Sequence, residues 1–196
     1  NSNPYILGCR IYDGEQSGIL VTDNGAGVVK GCDLYANMHP ALVIEKGSDV
    51  LIRDCQIHHG KANGISVLDG GMGTMEDCRI YENAYAGIGV KGPAEPLMRK
   101  CEIFHGKKEG IIFTEGAAGV LEFCDIYANQ GHGVVIRSLS NPTIQLCSVF
   151  DNQQFGFYVR DQGAGTVEQC SIYGNRQGSW FLEAGTRTRR DQKKSS

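Results

Sequence analysis

The sequence predicts an all-β chain, a right-handed parallel β-helix of eight 23-residue coils with one inward-facing cysteine per coil. Three observations point there. The eight cysteines, Cys9, Cys32, Cys55, Cys78, Cys101, Cys124, Cys147 and Cys170, recur at a constant interval of 23 residues. Residues 3–186, laid in rows of that length, give eight units without insertion or deletion. Within each row apolar residues alternate with polar or small ones, which is the period of a strand and not of a helix.

Each row holds about three short strands. The first is marked by the column Ile6, Val29, Ile52, Met75, Met98, Leu121, Ile144 and Val167. The second carries Ile11, Leu34, Ile57, Ile80, Ile103, Ile126, Val149 and Ile172. The third begins at Ile19, Leu42, Ile65, Ile88, Ile111, Val134, Phe157 and Trp180, with a second apolar position two residues on. A row rising ~3.3 Å per residue makes a loop of roughly 75 Å, enough to circle one narrow core, and stacks at the ~4.8 Å strand spacing. Eight such coils form a rod roughly 38 Å long, wound right-handed by the crossover preference. Leucine-rich repeats share the period, but their L-x-x-L-x-L and asparagine signature is missing.

A rhythm of 46 residues overlies the first. Gly14, Gly60 and Gly106 alternate with Asn37, Asn83, Asn129 and Asn175, and only Asn152 breaks the pattern. Glycine and asparagine tolerate left-handed backbone, so this column is expected to make the corners. Asparagines repeated in register can also hydrogen-bond along their stack.

The even number of cysteines raises the question of disulfides. In-register neighbours on parallel strands hold their Cβ atoms near ~4.8 Å, whereas a relaxed disulfide needs about 3.5–4.5 Å. A linear ladder cannot surround a metal tetrahedrally, and the chain has no C-x-x-C pair. Free thiols facing the core are therefore expected, with no metal and no cofactor. Eight unpaired thiols suit a reducing compartment, cytoplasmic or nuclear.

Composition narrows the function classes. A net charge of −3 argues against nucleic acid or an acidic membrane surface as partner. No run of 18 apolar residues is present, as a transmembrane helix would need, and the N-terminal stretch has no secretory signal pattern. Residues 1–186 read as one β-helix domain. Residues 187–196 follow as a basic tail expected to be disordered. The large residues Phe157, Tyr158, Trp180 and Phe181 suit a plug for the last coil. No cap is evident before Asn3, so either a missing segment or end-to-end contact with another copy is an expectation.

The units "NPYILGCRIYDGEQSGILVTDNG" and "AGVVKGCDLYANMHPALVIEKGS" resemble the right-handed β-helix repeats of carbohydrate-binding and sugar-hydrolase proteins. They are most similar to the β-helix region of the F-box only protein 11 family, which shares the NP-x-I and GI-x-V elements. The cysteine column stands where that family usually places asparagine, and no F-box-like helical segment is present. The resemblance implies the fold and leaves the chemistry open.

No complete catalytic constellation is found. "GHG" at Gly131–Gly133 imitates a polygalacturonase motif, but that family's paired aspartates have no counterpart. The outward column Lys30, Arg53, Glu76, Arg99, Glu122, Gln145 and Glu168 suits solvated cross-coil ion pairs. One irregularity stands out. His59, Glu82 and His105 occupy one column in successive coils, the two histidines roughly 10 Å apart. With His58, Lys61, Lys107 and Lys108 they form a candidate basic patch for an acidic peptide or sugar. The leading expectation is a noncatalytic protein-interaction or scaffold module with a protein or peptide ligand. A carbohydrate-binding or carbohydrate-active protein is the alternative.

Overall fold

The computed structural model describes residues 2–190 and shows 25 strands, with no helix among the described residues. The rows wind into a right-handed parallel β-helix of three sheets. Sheet A has nine strands, from Tyr5–Leu7 to Arg187–Arg190; sheet B has eight, from Arg10–Tyr12 to Ser171–Tyr173; sheet C has eight, from Ile19–Val21 to Gly178–Leu182. Every pairing is parallel and shifts by one row, as in Ile52↔Met75, Ile57↔Ile80 and Ile65↔Ile88. The predicted columns therefore stack inside, where Ile52, Ile57, Ile65, Met75, Ile80 and Ile88 are fully buried.

Two of the three corners follow one rule, a single residue in left-handed conformation. After sheet A it precedes the cysteine, as at Gly31 (φ 60°), Asp54 (52°) and Leu146 (55°). After sheet B it precedes the glycine or asparagine, as at Ala36 (56°), His59 (53°), Glu82 (54°) and His105 (53°). The expectation that the glycine–asparagine column itself turns left-handed is corrected by one residue. The asparagines are buried and satisfy the corner's backbone instead. Asn83 Oδ1 accepts the Gly60 N–H at 3.0 Å, and its Nδ2 donates to the Ile57 carbonyl at 3.1 Å. Where asparagines are consecutive they also bond one another, Asn129 Nδ2 donating to Asn152 Oδ1 at 3.0 Å and Asn152 Nδ2 to Asn175 Oδ1 at 2.9 Å.

The cysteines do the equivalent work more weakly at the neighbouring corner. Cys55 Sγ accepts the Cys32 N–H at 3.4 Å and donates to the Arg53 and Val29 carbonyls at 3.2 and 3.5 Å. All eight thiols are free. Six are buried, while Cys9 is exposed on the first coil and Cys170 is partly covered on the last.

The C-terminal end differs from expectation. Arg187–Arg190 is not disordered; it adds a ninth strand beside Ala164–Glu168 because the next row's register continues past Gly185. The rest of the expected tail lies outside the described residues. Of the four large end residues, Phe157 and Trp180 stack inside with centroids 4.5 Å apart. Tyr158 and Phe181 alternate outward and stack on the exterior of sheet C, 4.6 Å apart, so they plug nothing. Arg190 stands opposite Val167 in the inward column, its guanidinium 5.0 Å from the Trp180 ring.

Candidate functional site

The corner between sheets B and C carries the candidate site. Its left-handed residues project outward, because the following glycine or asparagine holds the backbone against the core. In coils 3–5 these residues are His59, Glu82 and His105. The floor beneath them is fixed by the buried amides of Asn83 and Asn129, which accept the N–H groups of Gly60 and Gly106 at 3.0 and 2.9 Å. Lys61 and Lys107 follow, their N–H groups bonded to the carbonyls of Asn37 and Asn83 at 2.9 and 3.0 Å.

The side chains enclose a shallow groove of 640 Å³ lined by His59, Lys61, Glu82, His105 and Lys107, with Gln130 at one end. Five of the seven residues expected in the patch are thus brought together. Lys108 does not line the groove. His58 stands behind it, inside a stack of rings. Glu82 turns to His59, with Oε2 2.5 Å from Nε2, and not to His105. The triplet His-Gly-Lys occurs at 59–61 and again at 105–107, so the groove presents one motif twice, two coils or about 10 Å apart. That duplication is the 46-residue rhythm acting at the surface, and it was open to reading in the sequence.

Behind the groove runs a feature that column reading had not singled out. The last residue of every sheet B strand is an aromatic ring or His58. Tyr12, Tyr35, His58, Tyr81, Phe104, Tyr127, Phe150 and Tyr173 stack continuously, with centroids 4.7–5.3 Å apart. Neighbouring planes lie within 14° of one another, so the rings cover each other's faces and offer only edges to a ligand. Burial raises the pKa of Tyr81, with the nearby Asp33 charge adding to it. His58 is the one ring of the stack with nitrogens at its edge. Its Nε2 lies 2.9 Å from Asp33 Oδ1 and its Nδ1 2.6 Å from His59 Nδ1.

The other charged groove, on sheet A, is internally neutralised. Arg99 Nε meets Glu122 Oε2 at 2.6 Å, Gln145 Nε2 donates to Glu122 Oε1 at 2.6 Å, and Arg53 lies 3.7 Å from Glu76. Arg99 and then Gln145 hold the Glu122 carboxyl below the usual carboxylate range. His132 of the GHG triplet is structural: its Nδ1 accepts the Phe155 N–H at 3.1 Å and its ring stacks on Tyr158 at 4.2 Å.

A family model described as the right-handed β-helix region matches residues 1–74 and 41–189. No curated protein matches the chain by sequence. Among solved structures, the periplasmic alginate epimerase AlgG superposes with a TM-score of 0.87 at 15% identity, over 96% of this chain and 49% of that one. The A-module of the Azotobacter vinelandii mannuronan C-5 epimerase AlgE6 gives 0.82 at 15% identity, over 97% and 59%. The pectate lyase Pel9A gives 0.68 at 12% identity, over 93% and 57%. The chain thus spans about half the length of these structures, and the likeness is one of fold.

Proposed function

The chain belongs to the right-handed β-helix family, and from that premise we propose that it is a carbohydrate-binding module whose corner groove takes a polymer of acidic sugars. The observation that carries this reading is the doubled His-Gly-Lys motif. A site that repeats at about 10 Å suits a ligand that repeats. Two lysines against a single glutamate leave a cationic excess, with two histidine rings beside them as hydrogen-bonding groups for the carboxylates of bound units. Three solved structures of similar fold are named for alginate, mannuronan and pectate, which are chains of sugar acids. Stacked rings that hide their faces remove the usual platform for a neutral sugar, which again favours recognition through charge. No catalytic step is assigned to the groove.

The test is calorimetric titration with oligomers of alginate and polygalacturonate, with neutral dextran as control. Binding to the acidic oligomers that K61Q and K107Q weaken together by about tenfold or more supports the reading, since each removes one charge-assisted contact. Lys30→Gln, on sheet A, should leave it unchanged. Equal binding of dextran, or equal loss with K30Q, overturns it.

A noncatalytic protein-interaction module is a second reading, favoured by one surface. Phe155, Tyr158, Phe181 and His132 cluster on the outside of sheet C beside Arg160, whose guanidinium lies 5.8 Å from the Tyr158 ring. Aromatic and arginine clusters of this kind anchor protein partners. The variants Y158A and F181A separate the two, because acidic-sugar binding at the groove does not involve either side chain.

A further inference from the structure

Four side chains form one continuous line of polar contacts leading to the groove. Asp33 Oδ1 is 2.9 Å from His58 Nε2, His58 Nδ1 is 2.6 Å from His59 Nδ1, and His59 Nε2 is 2.5 Å from Glu82 Oε2. His58 is held rigidly in the middle. Its ring stacks between Tyr35 and Tyr81, at 5.3 and 4.7 Å, and only 16% of its side chain is exposed. Seven of the eight rungs in this stack are tyrosine or phenylalanine, so stacking alone does not call for a histidine here.

Counting protons along the line fixes its charge. A carboxylate accepts, so both Nε2 atoms donate, one to Asp33 and one to Glu82. Two Nδ1 atoms in contact need one proton between them: with none, two lone pairs oppose each other; with two, two N–H groups do. The two rings therefore hold three protons and one positive charge between the two carboxylates, so the line as a whole carries one net negative charge. We infer that Asp33 and His58 are positioning residues that act through His59, keeping a shared proton between the rings so that His59 faces the groove as a donor. Glu82 then occupies the place on His59 Nε2 that a ligand carboxylate takes, and acts as an internal competitor. This assignment of Glu82 rests on the acidic-sugar reading; the proton-sharing chain does not.

Variants that keep the fold are available. His58→Phe leaves a ring in the stack, as Phe104 and Phe150 already do in other coils. It removes both nitrogens, and with them the shared proton. Proton NMR of the ligand-free protein, ¹⁵N-labelled at histidine, should show one strongly downfield imidazole proton coupled to a histidine Nδ1. That resonance should be absent from H58F while Tm stays close to the parent's, and D33N should shift it. Titrated with the polygalacturonate oligomer, H58F should lose about tenfold in affinity, the scale of one charge-assisted hydrogen bond. E82Q should bind severalfold more tightly than the parent. Absence of the downfield proton in the parent overturns the chain. Its presence in the parent with unchanged oligomer affinity in H58F overturns the positioning role. If the parent shows the proton yet binds no acidic oligomer, the chain stands, while the acidic-sugar reading and the assignment of Glu82 fail together.

Discussion

Asn83 reaches back one coil to Gly60, accepting its N–H at 3.0 Å while donating to the Ile57 carbonyl at 3.1 Å. One fully buried amide thus closes two backbone groups that the corner would otherwise leave open inside the protein. Asn83→Ala removes both partners at once. Each buried group left unpaired costs about 1–3 kcal/mol, so a loss of about 2–6 kcal/mol is expected for the two, read as a lowered urea midpoint at constant slope. Because Gly60 lies between His59 and Lys61, the same substitution should also weaken ligand binding at the groove.

The thiol ladder predicts a two-class titration. Inside the stack the shifts alternate. Hydrogen bonding with neighbouring thiols, and burial, hold Cys55, Cys101 and Cys147 well above the ordinary thiol range. Hydrogen bonding with those same neighbours pulls Cys78 and Cys124 below it, so burial is what keeps these thiols from a reagent. Cys170 is also lowered, to about 7 by hydrogen bonding from Cys147 against the opposing effect of burial, but it is only partly covered. Ellman's reagent should therefore modify Cys170 and the exposed Cys9 in the folded protein, leaving the six buried thiols until denaturant is added. Rapid reaction of all eight in the native state would show that the coils open readily.

Leu146 is strained where a glycine would be at ease. It sits in the left-handed corner column at φ 55°, while Gly8 and Gly31 fill the same place with nothing within 4 Å of an added Cβ. The left-handed conformation costs an L-residue about 1–2 kcal/mol, and glycine's extra chain entropy returns about 0.5–1 of that. Leu146→Gly should consequently stabilise by about 0.5–1 kcal/mol, since the leucine is exposed and adds little packing. Gln145→Gly, one residue earlier and within a sheet A strand, should destabilise. Thermal unfolding of the pair distinguishes corner relief from a general effect of glycine.

How much of this was legible can be judged residue by residue. The 23-residue period and the inward columns were, because a solenoid repeats its core chemistry at every turn. The left-handed position was misplaced by one residue. Ala36, Glu82 and Ala128 adopt it, and neither residue type advertises positive φ. Nor could residue type place His58 inside the ring stack, away from the groove. The residue three places after each cysteine did spell out that column, seven aromatic rings and His58. Arg187–Arg190 was read as disordered because composition signals solvation, whereas the register of the preceding strand is what decides pairing.

His132 gives the fold a pH dependence of definite sign. Burial depresses its pKa below 6.5, with the Arg160 charge assisting and Glu109 opposing. The folded state therefore favours the neutral ring, whose Nδ1 accepts the Phe155 N–H. With the folded pKa below the unfolded one, the unfolded chain binds the proton first as pH drops, so stability falls with pH. The contribution is complete above 6.5 and is lost as pH falls through the folded value. His132→Gln does not titrate there. Its stability curve between about pH 7.5 and pH 4.5 should be shallower than the parent's, and parallel curves would remove His132 from the account.

Arg190 makes the C-terminal end a poor template for another coil. It occupies the inward column, where all the stacked predecessors are apolar, and lays its guanidinium over Trp180. A further strand added there would have to bury that charge, which is unfavourable without a partner. Deleting residues 186–196 exposes the Ala164–Glu168 edge and the Trp180 face together. Exposed parallel edges over an apolar core pair with other chains. The shortened chain should therefore sediment as a larger species with rising concentration than the full chain does, accompanied by a shift in Trp180 fluorescence as its open face is covered. Arg190→Leu tests the charge alone, because it keeps the ninth strand and makes the column apolar to its end. If it associates as the deletion does, the arginine is the stop; if only the deletion associates, covering the sheet A edge is what keeps the rods apart.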